Sequence, residues 1–190
     1  MASLIYSAIA SLDGYIADDD GRFEWAAPDE DVHSFVNDLE RSVGIYLYGR
    51  RMYEVMAAWE TLETAGQPVL ADFAEVWRAA DKIVYSTTLT MASTPKTRIE
   101  RAFDPDAVRQ LKASAESDIT IGGPGIAAHA LRAGLVDECQ VFVVPTVVGG
   151  GLRAFSDQVR VDLDLIDQRR FASGTVYLRY RTLARSSGEE

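Results

Sequence analysis

The feature that most constrains this chain is the stretch Asp118-Ile119-Thr120-Ile121-Gly122-Gly123-Pro124-Gly125-Ile126-Ala127-Ala128-His129-Ala130-Leu131. An apolar strand runs into a glycine turn, and a helix begins almost at once. Gly122, Gly123 and Gly125 accept backbone angles closed to other residues and leave no side chain in the way. The helix beyond points its unpaired N–H groups, and the positive end of its dipole, back at the turn. That is a seat for phosphate. Three glycines between 122 and 125 exceed what a tight turn needs, so the stretch is read as a dinucleotide site serving redox chemistry. Gly123-x-Gly125-x-x-Ala128 also fits a Rossmann fingerprint, but that pattern wants an acid about 20 residues on to hold a ribose. Gln140-Val141-Phe142-Val143-Val144 lies there and has none.

The rest of the chain alternates strand-like and helix-like runs. Leu4 to Leu12 reads as a buried strand broken by Asp13-Gly14, and residues 15 to 28 as a polar and aromatic loop. A helix starts near Pro28-Asp29 with an inward stripe of Val32, Phe35, Val36, Leu39 and Val43. Ile45 to Tyr48 is a short strand, Met52 to Trp59 a helix, Val69 to Ala80 a second helical stretch and Lys82 to Tyr85 a strand. Thr97 to Ala102 is a short strand, and Asp104-Pro105 caps a helix to about Ala115. After the glycine unit come a strand at Glu138 to Val144 and a closing antiparallel pair at Val159 to Asp167 and Gly174 to Leu183. This order predicts an α/β fold with a mixed, mostly parallel central sheet flanked by helices and an antiparallel C-terminal edge. Residues 1–185 form one domain, followed by a polar tail at 186–190, with fraying from Ala184.

Composition narrows the function. A formal charge of −10 argues against a general nucleic-acid binder. It leaves room for a phosphorylated cofactor, for which a few local cations suffice. The single cysteine, Cys139, lies in an apolar strand and reads as a packed thiol. His33 and His129 lack ligand-spaced partners, so no metal site is expected. With neither a signal-like N-terminus nor a run long enough to span a bilayer, a cytoplasmic protein without membrane association is expected.

In open parallel sheets, ligands bind beyond the carboxyl ends of the strands. Four such ends carry glycine, hydroxyl or guanidinium groups: Ser11-Leu12-Asp13-Gly14, Gly49-Arg50-Arg51, Ser86-Thr87-Thr88 and Gly122-Gly123-Pro124-Gly125. Arg50 and Arg51 suit a 2′-phosphate, because guanidinium forks two hydrogen bonds and stays charged. For proton delivery the candidates are Asp31, one turn before the stripe residue Phe35, and Asp13.

Taken together these residues resemble the dihydrofolate reductase fold, and most closely the reductase domain of the bacterial riboflavin-pathway deaminase-reductase, the RibD C-terminal group. The likeness rests on Ser11-Leu12-Asp13-Gly14-Tyr15-Ile16-Ala17, Trp25, Gly49-Arg50-Arg51-Met52-Tyr53-Glu54, Val84-Tyr85-Ser86-Thr87 and Ile121-Gly122-Gly123-Pro124-Gly125, in that order. It implies NADPH. Backbone around Ala8, Ile9 and Ile16 would frame the nicotinamide. Arg50, Arg51, Ser86 and Thr87 would hold the adenosine ribose and its 2′-phosphate, with Gly49 opening that turn. Gly122, Gly123, Pro124, Gly125 and Ile126 would take the pyrophosphate. Asp13 to Trp25 corresponds to the mobile lid, and Trp25, Asp31 and Phe35 to the substrate side. Met52 and Ala127 stand where folate reducers carry threonine and tyrosine, and the deaminase zinc signature is absent. The implied activity is reduction of a pterin, pyrimidine or related heterocyclic C=N or C=O by a homodimer. The alternative is a non-catalytic dinucleotide sensor on the same fold.

Overall fold

The computed structural model describes residues 1–183. Residues 184 and 185 of the expected domain, and the expected polar tail, lie outside that range. Strand β1 (Leu4–Ser11) has neighbours on both sides, β6 (Asp118–Gly122) and β7 (Glu138–Val144), both parallel to it. A strand buried on both faces reads as a continuous apolar run, and LIYSAIAS is one.

Beyond β6 lie β3 (Val43–Gly49), β4 (Asp81–Tyr85) and β5 (Thr97–Glu100), all parallel. Beyond β7 the direction reverses into β10 (Val176–Thr182), which pairs antiparallel with β9 (Leu163–Arg170) at the edge. The sheet thus runs β5-β4-β3-β6-β1-β7-β10-β9, and a small ribbon joins β2 (Tyr15–Ala17) to β8 (Leu152–Arg153). The expected mostly parallel sheet with an antiparallel edge is what forms.

Alternating strand residues feed two layers. On one face Leu4, Tyr6, Leu47, Ile83, Ile119 and Ile121 pack under α4 (Pro105–Ser114) and α5 (Pro124–Arg132). On the other, Tyr46, Tyr48 and Val84 pack with α2 (Arg50–Met56) and α3 (Pro68–Ala79), and Ile9, Phe142 and Tyr177 pack with α1 (Glu30–Glu40). Cys139 is buried in the first layer, and desolvation pushes its thiol up to about 12, as befits packing rather than reactivity.

Several boundaries move for local reasons. Val43 opens β3 instead of ending the α1 stripe; it pairs with Asp118 after the chain turns at Arg41-Ser42. The expected loop at 15–28 contains β2 and a 3₁₀ turn at Glu24–Ala26. The closing strand begins at Leu163, because Val159 and Val161 are used to cover the core. The second helix starts at Arg50 and tightens into a 3₁₀ turn at Ala57–Glu60.

Candidate active site

Strand register decides whether the four polar strand ends can meet. Tyr48 pairs with Gly122, Gly49 with Tyr85 and Tyr6 with Ile121. The ends of β4, β3 and β6 therefore stand side by side on one rim, while β1 runs on past them to Ser11, paired with Val144 of β7. At β3 and β6, the side chains of Tyr48 and Met52 close over the Gly122-Gly123 backbone. A Cβ on Gly122 would lie 3.0 Å from the Tyr48 ring and 3.3 Å from Met52 Cγ. Gly123 has φ +98° and caps α5 without a side chain, and its own Cβ would sit 3.4 Å from Met52 Cβ. Gly49 likewise caps α2 with no side-chain bond.

Two uncapped helix starts thus share one corner. The Gly125 and Ile126 N–H groups precede the first intrahelical bond of α5, from Ala127 to the Gly123 carbonyl (3.1 Å). Such unsatisfied donors, at the positive ends of two dipoles, favour an anion.

Around this corner the guanidinium groups stand exposed. Arg50 donates to the Thr88 hydroxyl (3.2 Å) and lies 3.5 Å from Glu54, and Arg51 is exposed beside it. Ser86 is buried and turns its oxygen inward, accepting from the N–H groups of Leu89 (2.9 Å) and Thr88 (3.3 Å); Thr87 is exposed. Arg101 fixes that turn by donating to the carbonyls of Ser86 (3.1 Å) and Leu89 (2.7 Å). Tyr85, Phe103 and His129 form an aromatic ladder beside it, with centroids 5.4 and 5.8 Å apart. Arg101, Phe103 and the role of His129 in that ladder escaped the sequence reading, since they come from three separate elements with no shared motif.

At the end of β1, Ala8 and Ile16 join one apolar cluster with Ala10, Val141 and Ala154, while Ile9 faces the α1 layer. Asp13 works as a staple. It accepts from the Ser11 hydroxyl (2.6 Å) and from the Gly149 (2.7 Å) and Val148 (3.2 Å) N–H groups. The Ser11 bond, then those two N–H groups, hold its carboxyl below the usual carboxylate range. Trp25 is half-buried in the 3₁₀ turn and donates its ring N–H to the Arg22 carbonyl (3.2 Å), within a loop that also pairs Arg22 with Asp20.

Helix α1 packs on the sheet through Val32, Phe35, Val36 and Leu39, the stripe expected of it apart from Val43. Asp29 caps it, accepting from the Val32 N–H (2.9 Å). Asp31 is exposed. Phe35 is committed to the layer, edge-on to Phe142, Phe171 and Tyr177, with Arg169 over its ring at 4.8 Å. The buried polar residues of the helix are His33, Asn37 and Glu40. At about 100° per residue Asp31 lies only about 40° from Phe35, so its exposure is not a matter of helix phase, and His33, on another side of the helix, is buried because it packs on Phe73 of α3.

Among the described residues no cluster of histidine, cysteine and carboxylates could hold a metal, and no helix is long and apolar enough to cross a membrane.

Comparison with known proteins agrees with this architecture. An uncharacterized protein of Bacillus subtilis strain 168, YyaP, is 27% identical over 185 residues, covering 93% of both chains. A putative riboflavin biosynthesis protein of Shewanella sp. PV-4 superposes with a TM-score of 0.75 at 20% identity, over 96% of this chain and 99% of that one. A pyrimidine reductase-like protein of Corynebacterium diphtheriae gives 0.67 at 13% identity, over 96% and 92%. A Thermotoga maritima diaminohydroxyphosphoribosylaminopyrimidine deaminase/5-amino-6-(5-phosphoribosylamino)uracil reductase gives 0.67 at 17%, over 96% of this chain and 57% of that longer one. The fold is the dihydrofolate reductase-like fold of these RibD-type proteins. The family model of the RibD C-terminal domain matches residues 2–177, and the chain belongs to that family.

Proposed function

We propose that this protein is an NADPH-dependent reductase of a heterocyclic C=N or C=O bond, of the pyrimidine or pterin class. The observation that carries the reading is the corner where the Gly49-Arg50 and Gly122-Gly123 turns touch across adjacent strands. The corner fits a dinucleotide: a Cβ at Gly49 or Gly125 would meet nothing within 4 Å, so backbone there is open to a ligand, and the Gly125 and Ile126 N–H groups at the start of α5 precede its first intrahelical bond. Gly122 to Ile126 would bind the pyrophosphate, with Arg50, Arg51 and Thr87 on the 2′-phosphate and ribose. Ser86 would hold the turn that presents them. Backbone at Ala8, Ile9 and Ile16 would shelter the ring end.

NADPH would supply the hydride. The protein supplies orientation and dryness, which account for much of the acceleration in such reactions. Asp13 keeps the turn after β1 closed onto residues 148 and 149. Exposed Asp31 would act through water, ordering the proton donor instead of gripping the ring.

The test is cofactor binding by nicotinamide fluorescence and thermal shift, since a ligand bound only by the folded state raises the melting temperature. Wild type is expected to prefer NADPH to NADH. Arg50→Ala should weaken NADPH about tenfold and NADH little, the cost of one charge-assisted contact. Equal losses for both would remove the 2′-phosphate assignment, and no binding of either would remove the reductase reading.

A further inference from the structure

The outer edge of the sheet holds a cavity that the phosphate corner does not use. Strand β5 pairs its Arg98 with Ile83 of β4 and its Glu100 with Tyr85. Paired residues of neighbouring strands point to the same face. Arg98 and Glu100 therefore stand on the side that α4 covers, where Ile83 and Val108 are each 1% exposed. After β5 the Phe103 ring lies between Tyr85 and His129, while Ala102 and Asp104 on either side of it line the space under α4. Small side chains at Ala102 and Ala107 do not close that space, and a cavity of about 150 Å³ results.

Its two ends differ in chemistry. Ile83, Val108 and Leu111 make an apolar floor, and Arg98, Glu100 and Asp104 a charged rim. Arg98 and Glu100 meet through one nitrogen and one oxygen at 3.2 Å, both exposed. Asp104 uses one carboxylate oxygen to cap α4, accepting from the Asp106 N–H (2.9 Å), which leaves the other for a ligand. Two carboxylates against one guanidinium make the rim net negative. Tyr85 lines the same space, half-buried, with its hydroxyl unpaired among the described residues. Burial, and after it Glu100, pushes that phenol up to about 12, so it keeps its proton at neutral pH.

Charges turned inward on an edge strand also guard it against pairing with another chain. That duty needs no space behind the charges. Here an apolar floor lies open beneath them, and side chains that line a gap forfeit the packing contacts a filled core would give them. A cavity of this volume accepts a six-membered ring. An anionic ligand would set its charge against Glu100 and Asp104, whereas a cation would be drawn to both.

We propose that the cavity between β4, β5 and α4 is a second ligand site, for a small planar ring bearing one cationic amine or amidine group. The ring would lie on Ile83, Val108 and Leu111, and the cation would meet Asp104, Glu100 and the Tyr85 hydroxyl. The site does not depend on the reductase reading. Helix α5, whose start forms the phosphate corner, lies on the far side of Phe103, so the two ligands would not compete.

The experiment follows the methyl signals of Ile83, Val108 and Leu111 in the full chain at pH 7.5 as benzamidine is added. Benzoate, the same shape with the opposite charge, is titrated in parallel. Benzamidine should shift these signals saturably, with half-saturation at about 1 mM or below, the range open to a ligand of its size. Benzoate should bind at least about tenfold more weakly. Ala107→Leu, which places a larger side chain at the cavity from an exposed helix position, should abolish binding. Asp104→Asn keeps a side chain able to cap α4 but removes the charge, and should weaken benzamidine about threefold to tenfold. It also decides the matter should Ala107→Leu fail to fold. Adding NADP⁺ should leave benzamidine affinity unchanged. The assignment fails if the shifts do not saturate, if benzoate binds as well as benzamidine, if either folded variant keeps wild-type affinity, or if NADP⁺ displaces benzamidine.

Discussion

The phosphate corner and the α1 wall stand on the same rim but are made of different material. At the corner the main chain does the work: two helix starts without side-chain caps, and glycines whose missing Cβ leaves its place to Tyr48 and Met52. Side chains such as Ser86 and Arg101 mostly hold the backbone in place. On α1 the main chain is an ordinary helix, and everything specific lies in which side chain faces in and what its neighbours force it to be. The difference teaches that a glycine pattern can specify a binding geometry directly, whereas a helix specifies one only through its rotational phase and its network. If that contrast is sound, disturbing α1 should change stability and leave the corner's affinity alone.

The largest effect expected comes from the far end of α1. Glu40 is buried beside the Tyr46 phenol, with Tyr48 also close, and its Oε2 and the Tyr46 hydroxyl find no hydrogen bond of good geometry. Burial raises its carboxyl from 4.5 to about 7. The sign follows from linkage: the folded state holds this proton more tightly than the unfolded chain, so stability is fullest below 4.5, falls as pH rises toward 7 and is level above. The gap sets a ceiling of about 3 kcal/mol. His33 works in the opposite sense, costing stability below about 6.5 because its folded-state affinity for a proton is lowered. Urea unfolding of wild type and Glu40→Gln at pH 5.5 and 8 isolates the Glu40 share. The variant should gain on wild type by about 1–3 kcal/mol at pH 8, with NADPH affinity equal in the two. Cofactor affinity that tracked Glu40 ionisation would join the two regions and break the contrast.

The corner is probed by Gly122→Ala. Its methyl would meet the Tyr48 ring at 3.0–3.1 Å, tighter than ordinary contact, and Tyr48 is buried under Trp77, whose ring N–H it accepts (3.2 Å). Neither can yield freely, so overpacking should cost about 1–3 kcal/mol. Because the methyl also pushes α2 from the corner, NADPH and NADH should both weaken. A variant that lost stability but kept both affinities would show the glycine to be a packing device only.

How much could be read in advance divides along the same line. Gly122-Gly123 and Gly49-Arg50 were legible because glycine and helix-start rules act within a few residues, and parallel order placed their strands on one rim. The alternation of strands and helices was legible for the same reason. Asp31 and Phe35 were assigned to the substrate side from spacing and resemblance; whether a residue faces ligand, core or solvent depends on where Phe142, Phe171 and Tyr177 sit, which is set by residues more than a hundred positions away. His33 was visible only as a histidine without a metal partner, since the hydrogen bonds that hold it run through Asn37 to Val69 and Asp72 on a second helix. The ladder of Tyr85, Phe103 and His129 was hidden likewise.

The smallest effect sharpens the distinction within the corner itself. The sequence assigned Ser86 to the ribose or its phosphate, yet its hydroxyl oxygen already accepts two N–H groups of its own turn. A buried hydroxyl serving two backbone donors should cost about 1 kcal/mol when removed, so Ser86→Ala is expected to lower stability by that much. What distinguishes the roles is cofactor preference. A residue that only shapes the turn affects NADPH and NADH alike, whereas a phosphate contact is lost from NADPH alone. Fluorescence titration of Ser86→Ala should give nearly the wild-type ratio of the two affinities, in contrast to Arg50→Ala. If the ratio instead collapsed as it should for Arg50→Ala, the hydroxyl would have to leave its own turn to meet the cofactor, and the corner would read phosphate with side chains as much as with backbone.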